Sequence, residues 1–168
     1  MGNRIVVIGS NSFSGASLIR QALAQDHEVL GISRSIENKI CLLPYMWDDH
    51  DRFLFKQLDL NHHTEEIIQE IKSFEAPYVI NFAAQAMVAE SWQNPDHWYQ
   101  TNVVANVRLH DQLRQMDSLR KYVHVSTPEV YGSCSGLVDE SHPFSPSTPY
   151  ATSRAACDMH LLNFFKNY

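Results

Sequence analysis

The feature that most constrains the fold of this chain is a regular alternation of apolar β-branched runs with stretches of helical apolar spacing. Strands buried on both faces of a parallel sheet read as continuous apolar runs, and each crossover between parallel strands supplies a helix. The predicted strands are residues 4–8, 28–33, 53–58, 77–82 and 121–126, and the predicted helices are residues 13–24, 64–74, 95–116 and 150–165. Thr64 is the predicted N-cap of the second helix. The pattern predicts an α/β fold, a doubly wound parallel sheet in three αβα layers.

The domain organisation follows from chain length and strand count. A chain of 168 residues provides one domain with a sizeable core. Residues 36–52 and the Gly-, Ser- and Pro-rich residues 132–149 are predicted to be irregular. A doubly wound sheet of this type usually has six strands or more, one more than the pattern predicts. We therefore expect one domain, residues 1–168, that is the N-terminal portion of a longer protein and lacks its C-terminal part.

Composition excludes several classes of partner. The net charge of −6 offers a nucleic acid no attraction, no apolar run reaches the roughly 18 residues of a membrane helix, and the start of the chain leaves no room for a signal peptide. Cys41, Cys134 and Cys157 lack CxxC spacing and are expected to be reduced thiols of a cytoplasmic protein. The adjacent pair His62-His63 is expected in a solvated loop, so we predict no metal site.

A glycine-containing loop follows the first predicted strand and opens the first helix. Residues 9–15 read GSNSFSG, and small residues there allow backbone N–H groups to approach a pyrophosphate at the positive end of the helix. Gly9 would make the tight turn, Gly15 would allow close helix–strand packing, and Ser12 stands where a middle glycine would be. An ordinary tight turn is the alternative. The place of the loop after the first strand favours a Rossmann-type, dinucleotide-binding domain.

The end of the second predicted strand indicates which dinucleotide is bound. An acidic residue at this point would hydrogen-bond the adenine-ribose 2′-hydroxyl of NAD. The sequence has Ser33-Arg34-Ser35 instead, and a guanidinium beside two hydroxyls suits the 2′-phosphate of NADP. The predicted cofactor is therefore NADP. NAD is the alternative if Arg34 is only an exposed loop residue.

Two further segments carry candidate catalytic residues. Residues 126–132, STPEVYG, follow the fifth strand at the sheet edge where parallel sheets bind ligands. The last predicted helix begins with Tyr150 and has Arg154 one turn later, which puts the two side chains on one helical face about 5–6 Å apart. A cation beside a phenol stabilises the phenolate that a tyrosine base needs. A solvated tyrosine–arginine pair is the alternative.

These motifs occur in one order along the chain. After the glycine loop come Asp59-Leu60, Asn81-Phe82-Ala83-Ala84, residues 126–132 and Tyr150-xxx-Arg154. That order resembles the extended short-chain dehydrogenase/reductase family, and within it the nucleotide-sugar 4,6-dehydratases and 4-epimerases. Residues 81–88, residues 101–103 and the arginine after the second strand are similar to those of GDP-mannose 4,6-dehydratases. The resemblance covers essentially the whole chain.

The resemblance implies a cofactor site and a catalytic site. The implied cofactor-binding residues are Gly9, Asn11, Ser12, Phe13, Ser14, Gly15, Ser33, Arg34, Asp59, Leu60, Ala83, Ala84, Gln85, Asn102, Tyr150 and Arg154. The implied catalytic residues are Thr127, Glu129, Tyr150 and Arg154. By this resemblance the glycine loop holds the pyrophosphate, Arg34 holds the 2′-phosphate, and Asp59 and Leu60 line the adenine.

The resemblance also implies a nucleotide-sugar substrate and a reaction. Tyr150 would take the proton of the sugar 4-hydroxyl while hydride leaves C4 for the nicotinamide, and Thr127 would hydrogen-bond that hydroxyl. In a dehydratase, Glu129 would remove the C5 proton, water would leave from C6, and the hydride would return to C6. The cofactor would not be consumed.

Two departures from the family pattern keep other functions open. Arg154 stands where the family has lysine, and a planar guanidinium is not equivalent to an ammonium group. Pro128 stands where glucose-type dehydratases place an aspartate acid. The leading hypothesis is an NADP(H)-dependent nucleotide-sugar 4,6-dehydratase, and the alternatives are a 4-epimerase or 4-ketoreductase and a catalytically weak dinucleotide-binding protein. The resemblance further implies a homodimer through the helices at 95–116 and 150–165.

Overall fold

The computed structural model describes residues 3–168 and contains, in that range, five strands and five α-helices. The strands are β1 (Arg4–Ile8), β2 (Glu28–Ser33), β3 (Phe53–Gln57), β4 (Tyr78–Asn81) and β5 (Lys121–His124). The helices are α1 (Phe13–Ala24), α2 (Thr64–Ser73), α3 (Pro95–Tyr99), α4 (Asn106–Leu113) and α5 (Pro149–Asn167). The prediction of no signal peptide concerns a start that includes Met1 and Gly2, and these two residues lie outside the described range.

The five strands form one parallel sheet in the order β3-β2-β1-β4-β5. β1 pairs with β2 on one side and with β4 on the other, so that Val6 stands opposite Leu30 and Val79. The strand order therefore reverses between β1 and β4, and in open parallel sheets ligands bind at the carboxyl ends of the strands at such a reversal. The predicted Rossmann-type doubly wound fold is confirmed.

The chain folds into two compact units. The first unit consists of residues 3–83 and Asp111–Val125, and the second consists of Ala84–His110 and Ser126–Tyr168. The sheet lies in the first unit, where an apolar cluster packs α1 against β1 and β2. Its buried members are Val7, Ala16, Ile19, Ala22, Leu23, Val29, Leu43 and Tyr45.

The element predictions are confirmed in type, but several details are wrong. β4 is Tyr78–Asn81 rather than 77–82, and β5 ends at His124 rather than at residue 126. The N-cap of α2 is His63 rather than Thr64, because Thr64 is already helical and its hydroxyl donates to the Leu60 carbonyl. The predicted helix 95–116 ends at Leu113 and is interrupted by a π-helical segment, Gln100–Ala105. The side-chain amide of Asn106 donates to two carbonyls of this π-helical segment, and these bonds stabilise the segment.

The irregular segments are also confirmed. Residues 36–52 contain two short 3₁₀ turns, Ile40–Leu42 and Pro44–Met46. Two further 3₁₀ turns are Ala89–Trp92, which precedes α3, and Pro128–Tyr131, which follows β5. Across residues 3–168, none of the helices combines the length and the apolar character needed to cross a membrane.

Candidate functional site

The loop between β1 and α1 is closed by its own polar groups and requires its two glycines. Gly9 has φ +84°, and a Cβ at this position would stand 2.7 Å from the backbone nitrogen of Ala83. Ser12 caps α1, because its hydroxyl accepts from the Gly15 amide at 3.0 Å and donates to the Gly9 carbonyl at 2.7 Å. A Cβ on Gly15 would collide with that same carbonyl. Both glycines are therefore needed for the backbone to follow this path.

The first turn of α1 faces outward from this loop. Phe13 is 88% exposed and Ser14 is exposed beside it. The first N–H groups of a helix have no acceptor within the helix and carry its positive dipole end. The residues present therefore fit a pyrophosphate, because the loop provides a close backbone approach at the positive end of the α1 dipole. Ser12 supports the loop from within through the two hydrogen bonds that cap α1.

Asn11 connects this loop to the segment that follows β2. Its side-chain amide donates to the carbonyls of Ser35 and Ile36, at 3.0 and 2.9 Å. Its backbone N–H donates to the hydroxyl of Ser33 at 3.0 Å, and that hydroxyl is buried. Asn11 and Ser33 therefore fix the path of the chain around Arg34, and both were predicted as cofactor-binding residues from the sequence.

Tyr45 is a member of this site that sequence reasoning missed. Its hydroxyl contacts the side-chain oxygen of Asn11 at 3.3 Å and a carboxylate oxygen of Glu37 at 3.0 Å. Burial, together with the negative charge of Glu37, raises the pKa of the Tyr45 phenol above its ordinary range. Tyr45 lies in the irregular segment after β2, where no periodic pattern indicates which side chains point inward.

Arg34 and Asp59 lie at the carboxyl ends of β2 and β3. Arg34 directly follows β2 and is exposed, and its carbonyl accepts from the side chain of Gln57 at 3.1 Å. The Asp59 carboxylate accepts from the Asn61 amide at 2.8 Å, and the Asp59 amide donates to Nδ1 of His63 at 3.0 Å. Leu60 is buried. The predicted positions for the adenine side of a dinucleotide are therefore at the ligand-binding edge of the sheet.

The end of β4 lies beside the β1–α1 loop in the first unit. Ala83 donates its N–H to the side-chain oxygen of Asn81 at 2.8 Å, and the Asn81 amide donates to the Tyr122 hydroxyl at 3.0 Å. Asn81 is fully buried. These bonds hold the backbone of Ala83 against Gly9, at the reversal of strand order.

In the second unit, Thr127 and Glu129 lie in the 3₁₀ turn that follows β5. Thr127 is extended, with φ −142° and ψ 144°, and its hydroxyl accepts from the Glu129 amide at 3.4 Å. Gly132 ends the turn with φ +72°, and a Cβ there would collide with the carbonyl of Ser145. The turn therefore presents a hydroxyl and a carboxylate two residues apart on a defined backbone.

Tyr150 and Arg154 occupy the first two turns of α5, as predicted. Thr148 caps this helix by accepting from the Ala151 amide at 3.0 Å, and Pro149 starts it. The Tyr150 amide donates to the hydroxyl of Ser91 at 3.2 Å. Arg154 is only 2% exposed. The four-residue spacing places the guanidinium on the helical face of the Tyr150 phenol.

Asn102 is a structural link within the second unit. Its side chain pairs with the backbone of Gln85 in both directions, at 2.8 and 3.0 Å, and also donates to the Ser153 hydroxyl at 2.9 Å. Ser153 in turn donates to the Tyr150 carbonyl at 2.7 Å. Asn102 therefore joins the segment beginning at Ala84 to the start of α5.

Asp158 is a second residue that sequence reasoning missed. Its carboxylate accepts a hydrogen bond from the hydroxyl of Ser126, which precedes Thr127. Burial raises the pKa of Asp158 above its ordinary value, although the Ser126 hydrogen bond and the charge of Arg154 act in the opposite direction. A cavity of about 240 Å³ opens beside this pair. It is lined by Ser126, Thr127, Pro128, Val130, Tyr131, Phe144 and Asp158.

The two units offer different chemistry, each within itself. The first unit offers a loop with a close backbone approach before the N-terminus of α1, and an exposed arginine directly after β2. The second unit offers a phenol with a cation one helical turn away, and a hydroxyl and a carboxylate on one turn. These are the groups that proton abstraction beside a carbonyl requires.

Comparison with known proteins assigns the chain to a family. Residues 6–168 match the family model described as GDP-mannose 4,6 dehydratase. A probable dTDP-glucose 4,6-dehydratase from Sinorhizobium fredii is 34% identical over 167 residues, which are 92% of this chain and 47% of the relative. The chain thus spans about half the length of the curated relatives it matches.

Solved structures give the same result. The UDP-Glc/GlcNAc 4-epimerase from Campylobacter jejuni superposes with a TM-score of 0.86 at 25% identity, covering 99% of this chain and 50% of that one. The dTDP-glucose 4,6-dehydratase from Bacillus anthracis, solved in complex with NAD, superposes with a TM-score of 0.84 at 26% identity, covering 99% and 52%. The resemblance predicted from the motifs is confirmed, and the chain belongs to the GDP-mannose 4,6 dehydratase family.

Proposed function

We propose that this chain is the dinucleotide-binding portion of an NADP(H)-dependent nucleotide-sugar 4,6-dehydratase. The observation that carries the proposal is the β1–α1 loop, in which Gly9 and Gly15 leave room for no side chain and the first turn of α1 is exposed. This loop lies where the strand order reverses, which is the ligand-binding position of such sheets. The curated and solved relatives include nucleotide-sugar dehydratases and epimerases.

The preference for NADP over NAD rests on Arg34. An exposed guanidinium directly after β2 can form charge-assisted hydrogen bonds with a 2′-phosphate. Asn11 and the buried Ser33 hydroxyl hold the backbone on either side of it. The Bacillus anthracis relative was solved with NAD, and NAD is therefore the alternative that a binding measurement must test against NADP.

The residues of the second unit supply the proposed acid–base steps. Tyr150 takes the proton of the sugar 4-hydroxyl, Arg154 stabilises the phenolate, and Thr127 hydrogen-bonds the same hydroxyl. A nicotinamide held at the β1–α1 loop would supply an acceptor for the C4 hydride and a donor for its return to C6, so the net reaction would consume no oxidant. Glu129 removes the C5 proton, which is acidic beside the C4 carbonyl, and passes it to the C6 hydroxyl, which leaves as water. Tyr150 returns its proton to C5 when the hydride reaches C6. The product is a 4-keto-6-deoxy sugar.

A second function is favoured by Pro128. This residue is the first of the 3₁₀ turn and carries no acid, so Glu129 has to act as both base and acid in dehydration. An epimerase or ketoreductase acting at C4 needs Tyr150 and Thr127 but not that carboxylate. The buried arginine at position 154 favours, in its turn, a catalytically weak dinucleotide-binding protein.

Turnover assays separate these functions. A full-length protein that contains this chain is incubated with NADPH or NADP and with GDP-mannose or dTDP-glucose, and the product is identified by mass spectrometry and NMR. A 4-keto-6-deoxy product that is lost in Glu129→Gln, and kept in the control Glu140→Gln from the neighbouring loop, supports dehydration. A C4 epimer formed by wild type and by Glu129→Gln alike would show epimerisation instead. Cofactor binding with no turnover of either sugar would favour the weak binding protein.

A homodimer in a reducing, cytoplasmic environment is part of the same proposal. The side chains of Met159, Leu162 and Phe165 are exposed at three-residue spacing on α5, and Phe165 is 86% exposed. An apolar stripe of this kind is suited to packing against a second helix. The thiols at positions 41 and 134 are exposed and free, which suits a reducing compartment.

A further inference from the structure

We propose that Asp158 is a positioning residue that holds the catalytic turn of residues 127–131 onto the helix that carries Tyr150 and Arg154. Its meaning for catalysis rests on the proposed function, whereas the contacts themselves do not. Asp158 acts through Ser126 and Arg154 and is not itself assigned a proton transfer.

The first contact joins two distant segments of the chain. The hydroxyl of Ser126 donates to the carboxylate of Asp158, 32 residues later in the sequence. The next residue is Thr127, whose hydroxyl accepts from the Glu129 amide and so starts the turn. The bond at Ser126 therefore restrains the residue immediately before Thr127, which is proposed to hydrogen-bond the sugar 4-hydroxyl. Hydrogen bonds to an ionised carboxylate are roughly twice as strong as neutral ones, which suits this task.

The second contact is electrostatic and runs along α5. Tyr150, Arg154 and Asp158 are spaced by four residues, so they form one stripe on the helix. A guanidinium that is only 2% exposed requires a nearby negative charge, because an uncompensated buried charge is strongly destabilising. Burial raises the pKa of Asp158, and the charge of Arg154 acts in the opposite direction, as expected of oppositely charged groups on one face of a helix. Asp158 thus offsets the charge that stands beside the proposed base.

The cavity beside the pair supports a role near substrate rather than in the core. Ser126, Thr127 and Asp158 line the same cavity of about 240 Å³, together with the aromatic rings of Tyr131 and Phe144. A hydrogen bond that contributed only to stability could lie anywhere along α5. The bond between Ser126 and Asp158 instead lies in the wall of the cavity, next to Thr127.

Amide hydrogen exchange of the turn tests the first contact. The amides of Val130 and Gly132 donate to the carbonyls of Thr127 and Glu129, so their exchange rates report on the turn. We expect Ser126→Ala to speed the exchange of both amides about tenfold and Ser126→Thr to restore the wild-type rate. Ser141→Ala is the matched control, because it removes another serine–aspartate bond, to Asp139 at 2.6 Å. It should leave both rates unchanged.

A double-mutant cycle tests the second contact. Asp158→Asn keeps an acceptor for Ser126 and removes the charge, so it should lower the melting temperature. That loss should shrink by at least half when Arg154 is replaced by methionine, because no buried cation then needs compensation. Wild-type exchange in Ser126→Ala, or an undiminished loss in the Arg154→Met background, would overturn the inference.

Kinetics distinguish this inference from the proposed function. In a full-length protein that contains this chain and turns over sugar, Ser126→Ala should lower kcat with little change in KM, and Ser126→Thr should recover it. A full-length wild-type protein without turnover but with the expected exchange and coupling effects would contradict the proposed function alone. Normal turnover with unchanged exchange in Ser126→Ala would contradict the positioning role alone.

Discussion

Gly9 lies against Ala83 so closely that a Cβ on the glycine would stand 2.7 Å from the alanine nitrogen. The two residues follow β1 and β4, the strands between which the sheet reverses its order. These two backbone segments are in close contact at the edge of the sheet where parallel sheets bind ligands. The β1–α1 loop and the end of β4 therefore constrain each other's backbone path.

We predict that Gly9→Ala destabilises the chain far more than Gly136→Ala. Both glycines have positive φ, +84° and +79°, but a Cβ at Gly136 would meet nothing within 4 Å. Alanine at Gly136 should cost only the backbone strain of roughly 1–2 kcal/mol. Alanine at Gly9 adds the collision with Ala83 and should cost roughly 3 kcal/mol or more. Urea unfolding measures both, and equal losses would contradict the close approach.

Arg34→Ala should weaken the binding of NADPH more than that of NADH. A charge-assisted hydrogen bond to a 2′-phosphate contributes about 1.5–3 kcal/mol, so the loss in affinity should be roughly tenfold to hundredfold. NADH has no 2′-phosphate and should bind as before. Arg114→Ala, which removes an arginine paired with Asp111 on the surface, is the control in the same fluorescence titration. Parallel losses for both dinucleotides would assign Arg34 no part in the selection.

The free energy of unfolding should depend on pH through His110. Burial, and secondly the neighbouring His160, lower the pKa of His110 from 6.5 to about 4. The unfolded chain therefore binds a proton between pH 6.5 and 4 that the folded chain does not. The contribution of His110 to the free energy of unfolding is fully present above pH 6.5. About 3 kcal/mol is lost as the pH falls toward 4.

The variant His110→Gln tests this pH dependence of the free energy of unfolding, with His62→Gln as the control. Its free energy of unfolding should fall less steeply between pH 6.5 and 4 than that of wild type, whatever its absolute value. His62→Gln, at an exposed site, should keep the wild-type slope. Identical slopes in all three proteins would show that His110 does not titrate differently in the folded state.

Phe165→Glu should convert a dimer into a monomer. A carboxylate in the stripe of Met159, Leu162 and Phe165 would be buried on association, which is strongly unfavourable. Leu137→Glu is the control, because Leu137 is fully exposed in the loop between β5 and α5. Sedimentation velocity at micromolar concentration should show dimers for wild type and the control only. A monomeric wild-type chain would contradict the proposed dimer.

The local parts of the fold could be predicted because local sequence determines them. β1, β2 and α1 have the predicted bounds, since apolar runs and helical apolar spacing mark them directly. The π-helical segment 100–105 could not be predicted, because it depends on the side chain of Asn106 bonding two carbonyls of a widened turn. Helical periodicity is nearly unchanged by one such turn.

The residues of the candidate site that belong to a local sequence motif could be predicted. Those that are recognised only by a tertiary contact could not. The turn of residues 127–131 and the pair Tyr150 and Arg154 lie where the motifs placed them. Tyr45 and Asp158 were missed, because their partners are 34 and 32 residues away. For Asp158 a signal existed, since it continues the four-residue spacing of Tyr150 and Arg154.

The central claim is that the β1–α1 loop binds a nicotinamide dinucleotide, and titration of the folded chain with NADPH and NADH tests it most directly. At a hundredfold excess over Kd, a bound ligand adds about 2.7 kcal/mol to the free energy of unfolding, which raises the Tm of a chain of this length by roughly 5–10 °C. The account predicts such a rise, larger with NADPH and abolished by Gly9→Ala. A folded wild-type chain whose Tm and nicotinamide fluorescence respond to neither dinucleotide would contradict it.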